Sequence, residues 1–423
     1  MAAARLRIGI VGAGPGGLML GCLLRKQGLP FTLFELRPQP AEADFEKPAG
    51  SLDLHEGSGL AAIRELNLFD KFSSLTGDCS QALKIADKKG SVLFAETDDD
   101  DSSLGRQERP EIARNKLNQL LLSQLPPSAI RWQHKLMSAD HTGGAREVKL
   151  DFGRNGVQTF DLIIGADGAW SKVRPLLTKS KPEYAGQQSI TASIRKVSSR
   201  YPHLADLVGT GTFMALGEKH GIVVQRAANN TARLYTLIKT EDEKFATTHG
   251  LYNKTAAEAK SVILDAEGAP LKNFGSVLKE LITAACDDEA AAEPDATVDI
   301  RPMYPLCTTS EPEGPRWEHL PGVTLLGDAA HLVPPNGEGV NMALQDALEL
   351  SKALVEGHRI ASRDNISIHE ALSPLIEEYE SSMFERAKEV AQDTRQLLQT
   401  MYGSDNGAEE MMRFFQSMMK TEH

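Results

Sequence analysis

The residues with the clearest chemical potential are three glycines near the start of the chain, Gly12, Gly14 and Gly17, which follow a short apolar run. At this GxGxxG spacing, Gly12 would allow a tight turn, Gly14 would let a pyrophosphate approach the backbone, and Gly17 would let a helix pack on a strand. A second apolar run ends at Glu35, whose carboxylate can accept a hydrogen bond from a ribose 2′-hydroxyl. The pattern predicts a site for FAD or NAD rather than NADP, and the alternative is a purely structural glycine turn.

Two later apolar runs also end in a glycine followed by an acid. Residues 161–164 lead into Asp167, and residues 323–326 lead into Asp328. Because the carboxyl ends of parallel strands meet at one edge of a sheet, we expect both acids beside the first glycine turn. The stretch between them, roughly residues 175–300, is predicted to be an insertion that supplies a substrate-facing sheet.

The remaining pattern predicts the elements that hold these junctions in place. Apolar spacing predicts helices at residues 18–27, 60–66, 116–125, 341–355, 368–401 and 409–420, and mainly helical structure at 254–292. Strands are predicted at 130–160 and 186–240, a hairpin at 84–95, and an acidic loop at 287–295. The acidic run at 98–101 is interpreted as a solvated loop rather than a metal site. The last helix is expected to pack on the body of the protein, with a membrane or partner contact as the alternative.

The bulk composition is that of an ordinary globular protein. The chain has 423 residues, which suggests two domains or one large domain with insertions. A net charge of −12 argues against general nucleic-acid binding. The cysteines Cys22, Cys79, Cys286 and Cys307 lie far apart and are expected to be reduced thiols. We expect a soluble cytoplasmic protein without a signal peptide or a membrane-spanning run.

These motifs together resemble those of a known family. Residues 12–35, 165–174 and 327–341 resemble the three ordered motifs of the class A flavoprotein monooxygenases, the single-component FAD-dependent aromatic hydroxylases. Residues 50–59, 85–90 and 110–114 resemble the tetracycline-inactivating monooxygenases of that family closely and in order. The resemblance covers nearly the whole chain, from residue 6 to about residue 395.

The resemblance implies an α/β fold like that of para-hydroxybenzoate hydroxylase. Its parts are a Rossmann-like FAD-binding domain, an inserted mostly β substrate domain and a long C-terminal helix. The corresponding predicted boundaries are residues 1–175 and 300–365 for the FAD-binding domain, 176–299 for the substrate domain, and 366–423 for C-terminal helices that pack across both.

The same resemblance implies which residues contact FAD. Asp328 is implied at the ribityl or pyrophosphate region, Arg114 at the ribityl or phosphate part, and Asp53 near the isoalloxazine. Alternatives are a helix N-cap for Asp328, a surface ion pair for Arg114, and a bracing role in the turn for Asp167 and Arg174. The whole implied set is Gly12, Gly14, Pro15, Gly17, Glu35, Leu52, Asp53, Arg114, Asp167, Asp328, Pro335, Gly337, Gly339, Val340 and Asn341.

No second GxGxxG follows a strand, so a separate nicotinamide domain is not expected. The family uses NADPH or NADH as a transient co-substrate. The resemblance places a family NADPH-contacting arginine at Glu46, and Lys47, the nearest basic residue, is the candidate NADPH contact. His331 is a candidate general base, although a buried structural histidine is the preferred interpretation.

The helix that begins near Asn341 would direct backbone N–H groups at the pyrimidine edge of the flavin, where reduced flavin carries negative charge.

Substrate-contacting positions depart from the tetracycline enzymes, and Glu338 stands where they have Gln. Their polar groups are replaced by Thr191, Thr212 and the pair Leu234-Tyr235. A pocket without those groups should bind that polyol poorly, so we expect a less polar aromatic or polycyclic substrate. The candidate substrate contacts are Thr191, Thr212, Met214, Gln225 and Tyr235.

The family implies a reaction in which NAD(P)H reduces FAD, O2 adds to form a C4a-hydroperoxide, and one oxygen atom passes to the substrate by hydroxylation or epoxidation. A flavin-dependent halogenase is a second hypothesis, but the three tryptophans form no WxWxIP motif. A non-catalytic flavin-binding protein is the third hypothesis. A monomer is expected.

Overall fold

A computed structural model describes residues 6–76, 82–96, 109–141, 147–227, 229–308 and 310–421. The acidic run at 98–101 and Cys79 lie outside these residues. Within them, no helix combines the length and the apolar character that crossing a bilayer requires.

The first sheet is parallel and carries the three strand-to-glycine junctions. Its strand order is β17 (Val323–Leu325), β11 (Leu162–Gly165), β1 (Ile8–Val11), β2 (Phe31–Phe34) and β7 (Ile130–Arg131). The chain adds β2 on one side of β1 and later adds β11 on the other side. The strand order therefore reverses between β1 and β11, which is where open α/β sheets bind ligands.

The second sheet has seven strands and accounts for the predicted insertion. Its order is β16 (Asp299–Pro302), β12 (Gln187–Ile194), β15 (Thr231–Lys239), β14 (His220–Ala227), β13 (Thr212–Gly217), β4 (Leu83–Asp87) and β5 (Val92–Glu96). The predicted hairpin at 84–95 is confirmed as β4 and β5, but it pairs with β13 and lies in this sheet. Nothing local to residues 83–96 specifies that long-range pairing.

The other strands of the described segments form two small sheets. One is antiparallel, with the order β10 (Val157–Phe160), β9 (Val148–Asp151) and β8 (Ser138–His141). The other pairs β3 (Ser51–Asp53) with β6 (Glu111–Ala113). This two-stranded sheet places Asp53 opposite Glu111.

The helices cover both main sheets. They are α1 (Pro15–Lys26), α2 (Gly59–Glu65), α3 (Phe69–Ser73), α4 (Arg114–Leu122), α5 (Val197–Arg200), α6 (Pro202–Val208), α7 (Phe245–Thr248), α8 (Ala256–Leu264), α9 (Ser276–Ala292), α10 (Asp328–His331), α11 (Glu338–Asp364), α12 (Ile368–Tyr402) and α13 (Gly407–Thr421). Helix α11 packs against α1, α2 and α12. The predicted acidic loop at 287–295 is wrong over residues 287–292, because α9 continues to Ala292 and Asp288 is buried against Arg195.

Within the described residues, this packing forms three apolar cores. The largest surrounds the parallel sheet, and a second lies between one face of the seven-stranded sheet and helices α8 and α9. The third joins α13 to the opposite face of the seven-stranded sheet through Met411, Ile85 and Leu216. The C-terminal helix thus packs on the body of the protein.

Candidate functional site

The glycine turn after β1 has the conformation that its spacing predicts. Gly12 has a φ of +109°, and a Cβ atom there would lie 2.2 Å from the carbonyl oxygen of Ala166. A Cβ atom on Gly17 would lie 2.0 Å from the carbonyl oxygen of Gly12, so helix α1 packs directly on the turn. A Cβ atom on Gly14 would meet no protein atom within 4 Å among the described residues. Gly14 therefore borders open space at the first turn of α1.

Glu35 lies immediately after β2 and faces this turn. Its Oε2 accepts a hydrogen bond from the N–H of Ala13 and its Oε1 accepts one from the N–H of Arg37, each at 2.9 Å. The residue is only 9% exposed. Two backbone donors thus fix the carboxylate, while lone pairs remain on both oxygens for further donors.

The loop after β11 contains an acid with an unsatisfied oxygen. The Oδ2 of Asp167 accepts a hydrogen bond from the N–H of Lys172 at 2.7 Å, but its Oδ1 is buried and has no partner among the described residues. Burial raises the pKa of this carboxyl. An orphaned acceptor beside Gly12 is a group that a bound donor would satisfy.

Arg174 braces this loop from behind. It is 3% exposed and donates to the carbonyl oxygens of Ala329 and Ala169, at 3.0 and 2.7 Å. Burial lowers the pKa of its guanidinium, and Asp167 partly offsets that effect. The bracing role considered for Arg174 is therefore what its contacts provide.

The junction after β17 exposes Asp328 as the first residue of α10. The N-cap position belongs to Gly327, and no side chain caps this helix. The alternative of an N-cap acid at Asp328 is therefore wrong. Its carboxylate is exposed and makes no hydrogen bond within the described part of the chain.

His331 lies beneath this junction in a buried ionic group. Its Nε2 is 2.5 Å from the Oδ2 of Asp346, which also accepts the N–H of Gly327 at 2.9 Å. Arg386 donates to the other oxygen of Asp346 at 3.0 Å. Burial opposes the charge on the imidazole, but Asp346 outweighs it and raises the pKa of His331. These contacts favour the structural interpretation of His331 over the general-base hypothesis.

The start of helix α11 is tied to strand β3 by Asn341. Its Nδ2 donates to the carbonyl oxygen of Asp53 and its Oδ1 accepts the N–H of His55, each at 2.9 Å. Since Asn341 is 1% exposed, its side chain is committed to this link. Only its backbone is left to meet a ligand.

A cluster that the sequence reasoning missed lies at the same place. The imidazole of His55 is 2.9 Å from Oδ2 of Asp53 through Nε2, and 3.3 Å from Oε1 of Glu338 through Nδ1. The two carboxylates raise the pKa of His55 to about 9, with the Asp53 hydrogen bond as the largest cause. The sequence carries two signals for this cluster: His55 lies two positions from Asp53, and Glu338 departs from the glutamine of the tetracycline enzymes.

Arg114 and Lys47 make different contacts with their neighbours. Arg114 begins α4, and its N–H donates to the carbonyl oxygen of Gly50 at 3.0 Å. Its exposed guanidinium has no ion pair within the described residues, so the surface-ion-pair alternative is not observed. Lys47 pairs with Asp44 at 3.0 Å and is solvent-exposed.

The five candidate substrate contacts share one face of the seven-stranded sheet. Thr191 is paired with Tyr235, and Met214 lies in the same cross-strand row. Gln225 and Thr212 form a pair in the neighbouring row. Directly paired residues present their side chains on one face, and all five are partly exposed there. Leu234, the other member of the pair Leu234-Tyr235, lies in the apolar core on the opposite face, so only Tyr235 of this pair is on the candidate substrate side.

The partly exposed face of this sheet approaches the two-stranded sheet through Tyr235. A Cβ atom on Gly50 would lie 2.7 Å from the hydroxyl oxygen of Tyr235. Gly50 directly precedes β3, which contains Leu52 and Asp53. Tyr235 therefore brings this face of the sheet next to the strand that contains Asp53.

Comparisons with known proteins agree with this arrangement. The FAD binding domain family matches residues 5–272 and 314–393 of the chain. Monooxygenase penA of Penicillium thymicola is 33% identical over 97% of this chain and 98% of its own length.

The chain belongs to the FAD-dependent monooxygenases.

Solved structures confirm the fold of this monooxygenase. Klebsiella pneumoniae HpxO, complexed with FAD and uric acid, superposes with a TM-score of 0.72 at 17% identity, covering 99% of this chain and 94% of that one. The tetracycline destructase Tet(51) superposes with a TM-score of 0.62 at 16% identity, covering 100% of this chain and 97% of that one. The predicted para-hydroxybenzoate hydroxylase-like fold, the family and the oxidoreductase class are therefore confirmed.

The residues at the strand ends of this monooxygenase fit FAD on three observations. Gly14 leaves open space where a diphosphate would meet the first turn of α1. Glu35 keeps lone pairs to which a ribose hydroxyl could donate, and Oδ1 of Asp167 lacks a donor among the described residues. FAD is the cofactor of this family, and NAD(P)H and O2 are its usual co-substrates.

Proposed function

We propose that this monooxygenase holds FAD across the crevice between β1 and β11. Gly12, Gly14, Pro15 and Gly17 would receive the diphosphate at the first turn of α1, and Glu35 would bind the ribose of the adenosine half. The open space at Gly14 supports this placement, because any side chain there would enter the space that a diphosphate needs.

The flavin half is proposed to extend from β17 to the start of α11. Asp328 and Arg114 are exposed and make no ion pair within the described residues, so both are available for the ribityl and phosphate groups. Asp167 lies beside the same path. Leu52, Asp53, Pro335, Gly337, Gly339, Val340 and the backbone of Asn341 would surround the ring. Negative charge on reduced flavin would be stabilised by the first turn of α11 by about 0.3–1 kcal/mol.

NADPH or NADH is proposed to bind transiently in the same crevice. The ion pair between Lys47 and Asp44 gives no support to Lys47 as a dedicated contact for a 2′-phosphate. The choice between the two coenzymes is therefore left to direct measurement of both.

The substrate is proposed to be a weakly polar aromatic or polycyclic small molecule. The observation that carries this proposal is the partly exposed face of the seven-stranded sheet. There, Thr191, Met214 and Tyr235 form one cross-strand row, and the Tyr235 hydroxyl reaches Gly50, directly before the strand of Asp53. A thioether and an aromatic ring suit a flat apolar molecule, while Thr191 and the Tyr235 hydroxyl provide isolated polar contacts.

The protein residues bind, orient and exclude water in this proposal. Bound FAD supplies the redox chemistry by which one atom of O2 enters the substrate, either by hydroxylation or by epoxidation. Tyr235 would hold one edge of the substrate against β3, and helix α13 would shield the neighbouring part of the sheet face. Placement by these contacts then decides which carbon is oxidised.

The experiment is the rate of flavin reduction by NADPH and by NADH without oxygen, measured across a panel of aromatic and polycyclic compounds. The proposal expects one class of compound to accelerate reduction by orders of magnitude, and Tyr235→Phe to weaken that effect. Tyr252→Phe is the matched control, because Tyr252 is 69% exposed and lies on none of the proposed site elements. A rate that no compound changes would contradict substrate control of the reaction.

We further propose a monomeric cytoplasmic enzyme. Cys22, Cys286 and Cys307 are free thiols in the structure, which agrees with a reducing compartment. Light scattering at micromolar concentration tests the oligomeric state, and a dimer mass would contradict this proposal.

A further inference from the structure

The cluster of His55, Asp53 and Glu338 joins the two elements that border the proposed flavin ring. Asp53 ends β3, Glu338 begins α11, and His55 stands between their carboxylates at 2.9 and 3.3 Å. Gly337, which has a φ of +92°, lies beside Asp53, since a Cβ atom on Gly337 would be 3.5 Å from Oδ1 of Asp53. The cluster therefore sits at the turn that opens α11.

Hydrogen bonds fix the backbone of His55, which restricts the partners that its two ring nitrogens can reach. Its backbone N–H is bound by Asn341, and its carbonyl oxygen accepts the N–H groups of Ser58 and Leu60 at 3.2 and 3.0 Å. The imidazole side chain is only 15% exposed. Each ring nitrogen faces a carboxylate, and only the doubly protonated ring can donate to both.

The charges around the imidazole favour that protonated form. Asp53 faces it from β3 and Glu338 faces it from α11. Behind Asp53, Glu111 of β6 is hydrogen-bonded to Ser51 at 2.6 Å, and burial together with Asp53 raises the pKa of Glu111. Without the imidazolium, at least two acids would repel each other across the turn.

We infer that His55 is a positioning residue: as an imidazolium it bridges Asp53 and Glu338 and so holds the first turn of α11 against β3 in the arrangement that receives the flavin ring. This inference rests on the proposed placement of FAD. It also explains a glutamate at position 338, because a carboxylate attracts the imidazolium more strongly than the amide of a glutamine would.

The test is the dissociation constant of FAD for the apoprotein, measured by flavin fluorescence from pH 6 to pH 10. His55→Gln should weaken binding roughly tenfold at pH 7, the equivalent of one charge-assisted hydrogen bond. The wild-type affinity should be constant at low pH and fall as the pH rises through about 9, where His55 loses its proton. The profile of His55→Gln should lack that fall, which separates His55 from titration of the flavin itself.

A double variant separates charge from packing. His55→Gln combined with Glu338→Gln removes the cation and one of the acids, so it should recover most of the lost affinity. His203→Gln is the matched control, since His203 pairs with Glu280 at the surface at 2.9 Å and should change nothing.

Two results would overturn the inference or its foundation, and they are distinguishable. If FAD binds with the same pH profile in the wild type and in His55→Gln, the inference about His55 is wrong while the FAD site stands. ADP reports on the adenosine half alone and should bind all variants equally. If neither FAD nor ADP binds to the apoprotein at the crevice beside β1, the proposed placement of the cofactor is wrong.

Discussion

The carboxylate of Glu35 accepts a hydrogen bond from the backbone N–H of Ala13, with 2.9 Å between the two atoms. This contact ties the end of β2 to the glycine turn after β1. It places an acid with spare lone pairs next to the first turn of α1, where the proposed ribose and diphosphate would meet. The relationship gives the account its first test.

Replacement of Glu35 by Gln should weaken FAD binding. The amide keeps the shape but loses the charged acceptor for the ribose and for two backbone donors, so we expect a loss of about 1–2 kcal/mol, or roughly 5- to 30-fold in Kd. Flavin fluorescence titration of the apoprotein measures it. Glu46→Gln is the control, because Glu46 pairs with Lys116 at the surface. An unchanged Kd for Glu35→Gln would argue against a ribose at this position.

Two alanine substitutions in the glycine turn should have different effects, one on FAD binding and the other on the stability of the apoprotein. The added methyl group of Gly14→Ala meets no atom of the described residues within 4 Å, so the apoprotein should keep its Tm while FAD binding falls at least tenfold. Gly17→Ala would place a carbon 2.0 Å from the carbonyl oxygen of Gly12, so the apoprotein itself should be destabilised. Calorimetry and FAD titration of both variants separate the effects. Equal loss of Tm in both would contradict the open space at Gly14.

The parallel sheet and its junctions were predictable because they depend on local signals. Apolar runs that end in glycine and acid are visible in the sequence near Gly12, Asp167 and Asp328, and topology brings them to one edge. The pairing of β4 and β5 with β13 was not predictable, because partners more than a hundred positions apart leave no local pattern. The long-range pairing is decided by packing of the whole sheet.

Asp346→Asn should be among the most destabilising substitutions near the site. Asp346 is 1% exposed and holds His331, Arg386 and the N–H of Gly327. Removing one partner from a buried charged group costs about 3–5 kcal/mol. Urea unfolding of the apoprotein measures this loss, and Asp364→Asn, at an exposed pair with Arg363, is the control.

The loss should also depend on pH. Burial opposes ionisation of Asp346, but His331 outweighs it and lowers the pKa of this carboxyl in the folded protein. Its stabilising effect is therefore present above about pH 3.9, the ordinary value for Asp, and is lost as the pH falls through the lower folded pKa. The difference between the wild type and Asp346→Asn should shrink in strong acid. A difference that grows as the pH falls would contradict this assignment.

Tyr235→Phe should affect the substrate and leave the cofactor alone. The hydroxyl lies next to Gly50 on the proposed substrate face and makes no hydrogen bond within the described residues. We expect KM for a true substrate to rise severalfold, with more NADPH consumed without product, and the Kd of FAD to stay unchanged. Product yield per NADPH, measured by chromatography, tests this. A change in FAD affinity with unchanged yield would place Tyr235 at the cofactor instead.

The candidate site was predicted only in part, and the reasons are physical. Motif spacing indicated Glu35 and Asp328 because each follows an apolar run predicted as a strand, whereas the family resemblance alone indicated Asp53. The role of Asn341 as a clamp and of His55 as a bridge depends on contacts between residues nearly 290 positions apart. Such contacts exist only once α11 packs beside β3, so the sequence showed the residue types without their partners.

The most direct test of the central claim is the fate of ¹⁸O2 when the FAD-loaded enzyme is supplied with NADPH or NADH and with the compound that most accelerates flavin reduction. The account predicts a product that carries one ¹⁸O atom by mass spectrometry, with one nicotinamide oxidised per product formed. Consumption of the nicotinamide that yields only hydrogen peroxide, with no labelled product from any compound of the panel, would contradict it.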